Sequence, residues 1–231
     1  VTGTIPAPAG NGYRWLLTFA DGLLVANDLD DTVSVIDLER RATVETIDLG
    51  GGIGVPEKPG DKPIDLAAVD ATLAEIKEAY PQYQLWLEPG RYIVSRAGVL
   101  LTHVTQTKGK GEMRYIGVGT GMNSLIRPAL YQAWQDIVTV EQTPSGETGS
   151  FDLVGPICET GDFLGKDRQL TLRPGSLLAV RSSGAYGFTM ASNYNSRPRA
   201  AEVMVDGSRV HLVREREQVA DLFRGEHRLP D

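Results

Sequence analysis

The stretch Ile47-Asp48-Leu49-Gly50-Gly51-Gly52-Ile53-Gly54, taken with Asp65 to Tyr80 and with Leu85-Trp86-Leu87-Glu88-Pro89-Gly90-Arg91, decides the fold. The first piece is a strand end that runs into glycines, where backbone can come close to another group. Leu66, Val69, Leu73, Ile76 and Ala79 then recur at helical spacing, with Glu75, Lys77 and Glu78 off that face, which predicts a helix over 65–80. Pro81 stops it. Leu85-Trp86-Leu87 is a short apolar strand that ends at Glu88. Strand, glycine loop, helix, strand and loop make one βαβ unit, the repeating piece of a (β/α)8 barrel. The unit fills about 45 residues, against roughly 250 for a whole barrel.

On its C-terminal side the chain turns β-rich. Residues 99–107, 114–118, 151–154, 177–180 and 201–205 read as strands, with Ile93-Val94 as a shorter one, and Gly, Pro and Asn turns separate them. Residues 214–223 predict a short closing helix. On the N-terminal side, Leu23-Leu24-Val25-Ala26, Thr32-Val33-Ser34-Val35-Ile36 and Ala42-Thr43-Val44-Glu45-Thr46-Ile47 are β-type runs around the turn-rich Asn27-Asp28-Leu29-Asp30-Asp31. Residues 20–47 resemble one blade of a YVTN-type β-propeller, but a propeller needs several blades, so a short antiparallel meander is the favoured reading. The expected fold class is therefore α/β plus all-β. A meander (1–47) precedes a partial (β/α)8-barrel segment (48–94), and an antiparallel β-barrel or sandwich C-terminal domain with a terminal helix (95–231) follows.

A chain of 231 residues can bury a sound core, and 41% hydrophobic with 23% charged residues is ordinary for a soluble globular protein. A net charge of −7 argues against nucleic acid or an anionic membrane as partner. One cysteine excludes an internal disulfide and a cysteine-rich metal site, and fits a reducing cytoplasm. No apolar run reaches the roughly 20 residues of a membrane span. Val1-Thr2-Gly3-Thr4-Ile5-Pro6 has no signal-peptide character, and without an initiator methionine the chain is expected to be processed or a piece of a longer one.

The lone cysteine, Cys158, stands beside Glu159 in Gly155-Pro156-Ile157-Cys158-Glu159-Thr160-Gly161-Asp162, bracketed by turn residues that predict a tight loop. A lone cysteine is more often a small buried hydrophobe, yet a thiol next to a carboxylate on a fixed loop suits proton transfer. Gly51 and Gly52 follow a strand end, where backbone N–H groups can cradle a phosphate or merely turn the chain. Glu88 sits on the strand-end rim where barrel enzymes place their chemistry, and its alternative is a solvated loop carboxylate. Arg127 precedes Pro128 and lies four residues from Tyr131, a position more often solvated surface. Tyr186 stands between Gly184 and Gly187 and reads equally as a core tyrosine. His103, His211 and His227 have no metal-ligand spacing, so no metal is expected.

Five segments in order, Gly50-Gly51-Gly52-Ile53-Gly54, Glu88-Pro89-Gly90-Arg91, Leu125-Ile126-Arg127-Pro128-Ala129-Leu130-Tyr131, Gly155 to Asp162 and Gly184-Ala185-Tyr186-Gly187, resemble the diaminopimelate decarboxylases. These are pyridoxal-phosphate enzymes of fold type III, akin to alanine racemase and ornithine decarboxylase. The resemblance runs from about Ile47 to Phe223. It implies pyridoxal 5'-phosphate as cofactor, with its phosphate at Gly51 and Gly52, its ring nitrogen at Glu88, and Gly90, Arg91 and Tyr186 around it. It implies diaminopimelate as substrate and lysine as product. Arg91 would clamp a substrate carboxylate, and Tyr186 would have a stacking or phosphate-bonding role beside cofactor and substrate. Arg127 and Tyr131 would take the distal carboxylate with help from Asn123, and Glu159 would take the distal ammonium. Cys158 would reprotonate the carbon that has lost carbon dioxide. Ser192-Asn193-Tyr194-Asn195-Ser196-Arg197-Pro198 also matches and reads as architectural.

The resemblance breaks at one point. The family bonds its cofactor to a lysine in a Tyr-x-x-Lys-Ala-Asn context, and none of the six lysines here (Lys58, Lys62, Lys77, Lys108, Lys110, Lys166) has it. The family's His-x-Gly-Ser segment is also missing. Three expectations result: a decarboxylase fragment, a subunit completed by a homodimer partner or a complementing chain, or a non-catalytic β-domain interaction protein. Cofactor absorbance in purified protein separates the first two from the third.

Overall fold

The computed structural model describes residues 13–19, 22–27, 32–37, 42–110 and 113–229. It divides into two units, Val1–Val55 with Lys62–Tyr92, and Pro56–Asp61 with Ile93–Asp231.

In the first unit β1 (Tyr13–Phe19), β2 (Gly22–Asn27), β3 (Thr32–Asp37) and β4 (Ala42–Asp48) pair in sequence order, each antiparallel to the last. The propeller-like reading of 20–47 falls partly on 20–21, 28–31 and 38–41, which lie outside the described residues. β5 (Gln84–Trp86) joins beside β4 in parallel, with Ile47 opposite Leu85. Parallel neighbours need a long crossover, and helix α1 (Leu66–Ala79) supplies it. The Asp65 carboxylate caps α1 by accepting from the Ala67 and Ala68 N–H groups at 3.0 and 3.3 Å. At the other end the Lys77 ammonium donates to the carbonyls of Pro81 and Tyr83, satisfying backbone where Pro81 ends the helix. The stripe Val69, Leu73 and Ile76 is half-buried and faces Leu49 and Ile64.

Ile93-Val94 is not a strand but the end of the five-residue helix α2 (Gly90–Val94). The chain turns as soon as β5 ends, with the Gly90 N–H donating to the Glu88 carbonyl at 2.7 Å, and that local turn overrides the strand preference of the β-branched pair.

In the second unit β6 (Leu100–Lys110), β7 (Met113–Val118), β8 (Ile137–Thr139), β9 (Glu147–Val154), β10 (Phe163–Leu172) and β11 (Leu177–Val180) form one sheet in the order β10-β9-β7-β6-β11-β8. Its two ends, β8 and β10, lie in contact, so the sheet nearly closes on itself. An all-antiparallel sheet was the expectation, and one pairing departs from it: β7 runs parallel to β9, with Ile116 opposite Leu153. The long connection between them, which carries helix α3 (Arg127–Tyr131) and β8, makes the crossover. Ile116, Leu125, Phe151, Leu153, Leu164, Leu172, Leu178 and Val180 fill the inside. Along β9 the alternation is plain, with Phe151 and Leu153 inward and their neighbours outward.

The expected closing helix over 214–223 is not there. Residue 214 still ends strand β13 (Arg209–Arg214), which pairs with β12 (Glu202–Asp206) as a separate ribbon. Only Val219–Phe223 coils, as a 3₁₀ turn capped by Gln218 and Asp221. The physical reason is Glu217: its carboxylate accepts from the Arg199 N–H and Nε, both at 2.7 Å, and from Asn193 Nδ2 at 2.6 Å, which holds the chain extended across 214–218.

Candidate functional site

Two groups of the candidate residues are built, one in each unit. In the first unit the parallel pairing of β4 and β5 brings two loops to the same strand ends. The Leu49 N–H donates to the Trp86 carbonyl at 2.9 Å, and the Glu88 N–H to the Gly50 carbonyl at 2.7 Å. Gly51 lies so close that a Cβ there would stand 2.7 Å from the Glu88 carbonyl oxygen, so the approach requires glycine. Asp48 Oδ1 accepts from the Gly50 N–H at 2.8 Å and fixes the start of the loop. Gly52, at φ +80°, faces open space. The Glu88 side chain is exposed beside this loop, with Gly90 and Arg91 next on the first turn of α2. An open glycine backbone against an exposed carboxylate, on the C-terminal rim of parallel strands, fits an anionic group on one side and a protonated ring nitrogen on the other.

In the second unit the loop 155–162 holds Cys158 and Glu159 out, both exposed. Asp162 builds that loop. Its carboxylate is 3% exposed and accepts from the Ile157 and Met122 N–H groups, each at 2.6 Å. Its carbonyl takes the Gly155 N–H at 3.0 Å. One side chain thus ties the cysteine loop to the segment that leads through Asn123 and Leu125 into α3.

Arg127, the first residue of α3, turns inward at 8% exposed. Its Nη2 donates to Glu57 Oε1 at 3.0 Å. With the Gln135 amide oriented to satisfy both its ends, its oxygen accepts from Arg127 Nη1 at 3.1 Å. Tyr131, at the far end of the same helix, stands 59% exposed. Asn123 is buried, its side-chain oxygen has no hydrogen-bond partner, and its carbonyl accepts from the Ser192 N–H at 2.8 Å. Tyr186 is half-exposed at φ +56°, an uncommon conformation for an aromatic residue. Its loop is pinned by the Ser183 N–H on the Gly98 carbonyl and the Gly184 N–H on the Ser95 carbonyl, both at 2.9 Å.

Three residues at this site escaped the sequence reading. Asp162 only ends the motif that holds Cys158 and Glu159, Glu57 lies in a Pro-rich loop with no motif of its own, and Tyr194 stands in a segment that reads as architectural. The Tyr194 hydroxyl donates to Glu159 Oε1, and that hydrogen bond raises the tyrosine pKa above its usual value. Among the described residues no cluster of three or more His, Cys, Asp or Glu side chains suits a metal ion, and no helix is long and apolar enough to cross a membrane.

Two family models match. The pyridoxal binding domain of the pyridoxal-dependent decarboxylases covers residues 25–95, and their C-terminal sheet domain covers 91–184. The diaminopimelate decarboxylase of Vibrio cholerae is 50% identical over 188 residues, which are 81% of this chain and 45% of the relative. The crystal structure of diaminopimelate decarboxylase from Helicobacter pylori complexed with L-lysine superposes with a TM-score of 0.71 at 36% identity, over 78% of this chain and 44% of that one. The enzyme from M. jannaschii in co-complex with L-lysine gives 0.74 at 34% identity, over 83% and 45%. The chain thus spans less than half the length of the relatives it matches.

Proposed function

Because the chain belongs to the pyridoxal-dependent decarboxylase family, we propose that it is the C-terminal part of a diaminopimelate decarboxylase, which converts diaminopimelate to lysine and carbon dioxide in the cytoplasm. The observation that carries this reading is the joined rim of Gly51, Gly52 and Glu88 at the ends of β4 and β5. In this reading residues 48–94 are one βαβ unit of a (β/α)8 barrel and 95–231 are the β domain, preceded by the 1–47 meander. A homodimer partner or a complementing chain completes the site.

When bound, pyridoxal phosphate supplies an electron sink for the cleaved carbon–carbon bond. Gly51 and Gly52 present backbone N–H groups to its phosphate, and Glu88 keeps the ring nitrogen protonated. Arg91 pairs with a substrate carboxylate, and Tyr186 has a stacking or phosphate-bonding role. At the far end Arg127 and Tyr131 take the distal carboxylate, with Arg127 exchanging the Glu57 carboxylate for one of the same chemistry. Glu159 takes the distal ammonium, a charge match that rejects amino acids without it. Cys158 delivers the proton that replaces the lost carboxyl group.

The test is carbon dioxide release from diaminopimelate with added cofactor. The isolated 231-residue chain should give none, because no lysine stands in the family context. Completed with the portion of its relatives that it does not match, it should turn over. A completed protein that binds cofactor and releases nothing sinks the assignment.

A further inference from the structure

The hydrogen bond between Tyr194 and Glu159 joins two loops that are each held by hydrogen bonds of their own, both of them to the segment 119–123. On one side the buried Asp162 carboxylate holds 155–162 through the N–H groups of Ile157 and Met122. On the other, the segment 192–199 is tied down along its whole length. The Ser192 N–H donates to the Asn123 carbonyl at 2.8 Å, Asn193 Nδ2 to the Arg197 carbonyl at 3.1 Å, and Arg197 Nη2 to the Gly119 carbonyl at 2.9 Å. Asn193 and Arg199 both bind Glu217, whose pKa is drawn down to about 2, first by the Arg199 guanidinium. Inside this frame Asn195 and Ser196 take left-handed conformations, at φ 59° and 54°. A left-handed turn braced on both sides that carries one exposed tyrosine onto one exposed carboxylate is more than stability requires, since a solvent-exposed hydrogen bond contributes little to folding.

We propose that Tyr194 is a positioning residue: its hydroxyl holds one oxygen of Glu159 so that the other is aimed at the distal ammonium of the substrate. The proposal rests on the role given to Glu159 under the proposed function. The choice of a tyrosine is chemically pointed. An arginine or lysine in this place would neutralise the carboxylate and compete with the incoming cation, whereas a neutral O–H orients the carboxylate and leaves its charge for the ligand. A tyrosine O–H, with a pKa of about 10 even unperturbed, remains a donor throughout neutral pH, and the hydrogen bond to Glu159 raises that of Tyr194 further.

Two measurements test this. In the chain itself, near-ultraviolet difference absorbance follows tyrosine ionisation. Subtracting Tyr194→Phe from the parent should reveal a group that titrates above the usual value of about 10, and Glu159→Gln should return it toward that value. An ordinary titration of Tyr194 in the parent overturns the proposal. In the completed enzyme, Tyr194→Phe should raise KM for diaminopimelate about three- to tenfold, the worth of one hydrogen bond, with kcat nearly unchanged. It should leave KM unchanged for a 2-aminodioic acid of the same length without the distal amine. In the Glu159→Gln background, Tyr194→Phe should add nothing, because the two act as one unit. If Glu159→Gln itself leaves KM unchanged, the role of Glu159 falls and this proposal with it. If Glu159→Gln raises KM while Tyr194→Phe does not, or if the two effects multiply, the tyrosine alone is refuted and the reading of Glu159 stands.

Discussion

Removing the Asp162 carboxylate should cost the second unit a large share of its stability. The side chain is 3% exposed and accepts from two backbone N–H groups at 2.6 Å, those of Met122 and Ile157. Hydrogen bonds to a charged acceptor are worth roughly 1.5–3 kcal/mol each, and truncation leaves both donors without their acceptor. Asp162→Ala should therefore destabilise by about 3–5 kcal/mol. At roughly 2–4 °C per kcal/mol for a unit of this size, the midpoint should fall by about 10 °C. The site also has an internal control. A Cβ at Gly121 would sit 2.3 Å from one Asp162 oxygen, and a Cβ at Gly155 would sit 2.3 Å from the other. Gly121→Ala and Gly155→Ala must push the carboxylate off its donors, so each should reproduce much of the loss without touching the aspartate. Urea unfolding followed by tryptophan fluorescence measures all three. An Asp162→Ala protein within about 1 kcal/mol of the parent would refute the reasoning, because two satisfied donors, one buried and one part-buried, cannot lose a charged acceptor so cheaply.

Glu217 has its pKa lowered from 4.5 to about 2, chiefly by the Arg199 side chain and backbone. Its folded pKa lies below the unfolded one, so its stabilisation is complete above about pH 4.5 and is lost as pH falls toward 2; Glu217→Gln should flatten the urea midpoint against pH across that window. Glu57→Ala should leave the Arg127 guanidinium in a half-closed site, and with the Glu57 side chain 23% exposed the loss should be about 1–3 kcal/mol by the same unfolding assay. In the completed enzyme Cys158→Ala should lower kcat at least about tenfold with little change in KM, because proton delivery belongs to the chemical step, and equal activity would make the cysteine a mere surface residue.

How much the sequence reveals depends on the distance over which the determining contacts act. Asp65 before an apolar stripe, Pro81 after it and a short apolar strand ending at Glu88 are local signals, and they place α1 and β5 to within a residue or two. The loop 155–162 is legible for the same reason, since turn residues bracket it. The failures are of two kinds. Very short helices, Gly90–Val94 and Arg127–Tyr131, are too brief to show a period, so Ile93-Val94 reads as strand and Arg127 as loop. Residues 214–218 fail differently: alternating Arg and Glu there suits a helix locally, but Glu217 is claimed by Arg199 from 18 residues away.

The candidate site shows the same division more sharply. Its chemistry-bearing residues stand in motifs and can be read one by one, whereas the residues that aim them cannot. Glu57 reaches Arg127 across 70 positions, Asp162 reaches Met122 across 40, and Tyr194 reaches Glu159 across 35. Each of these partners is an ordinary surface-type residue in sequence, and only the nearly closed sheet converts it into a determinant of geometry. The consequence is plainest at Arg127. By residue type it is an exposed cation ready for a carboxylate, but in the fold it is buried and already paired with one. If Arg127 takes a substrate carboxylate as proposed, that carboxylate must exchange with Glu57 rather than fill an empty fork, and affinity at the distal end would be the difference between two similar ion pairs. Such a difference is small for the carboxylate alone, so under the proposed function discrimination at that end would come mainly from the proposed ammonium contact at Glu159. On that proposal, how well Glu159 is aimed would govern substrate choice more than the strength of the Arg127 clamp.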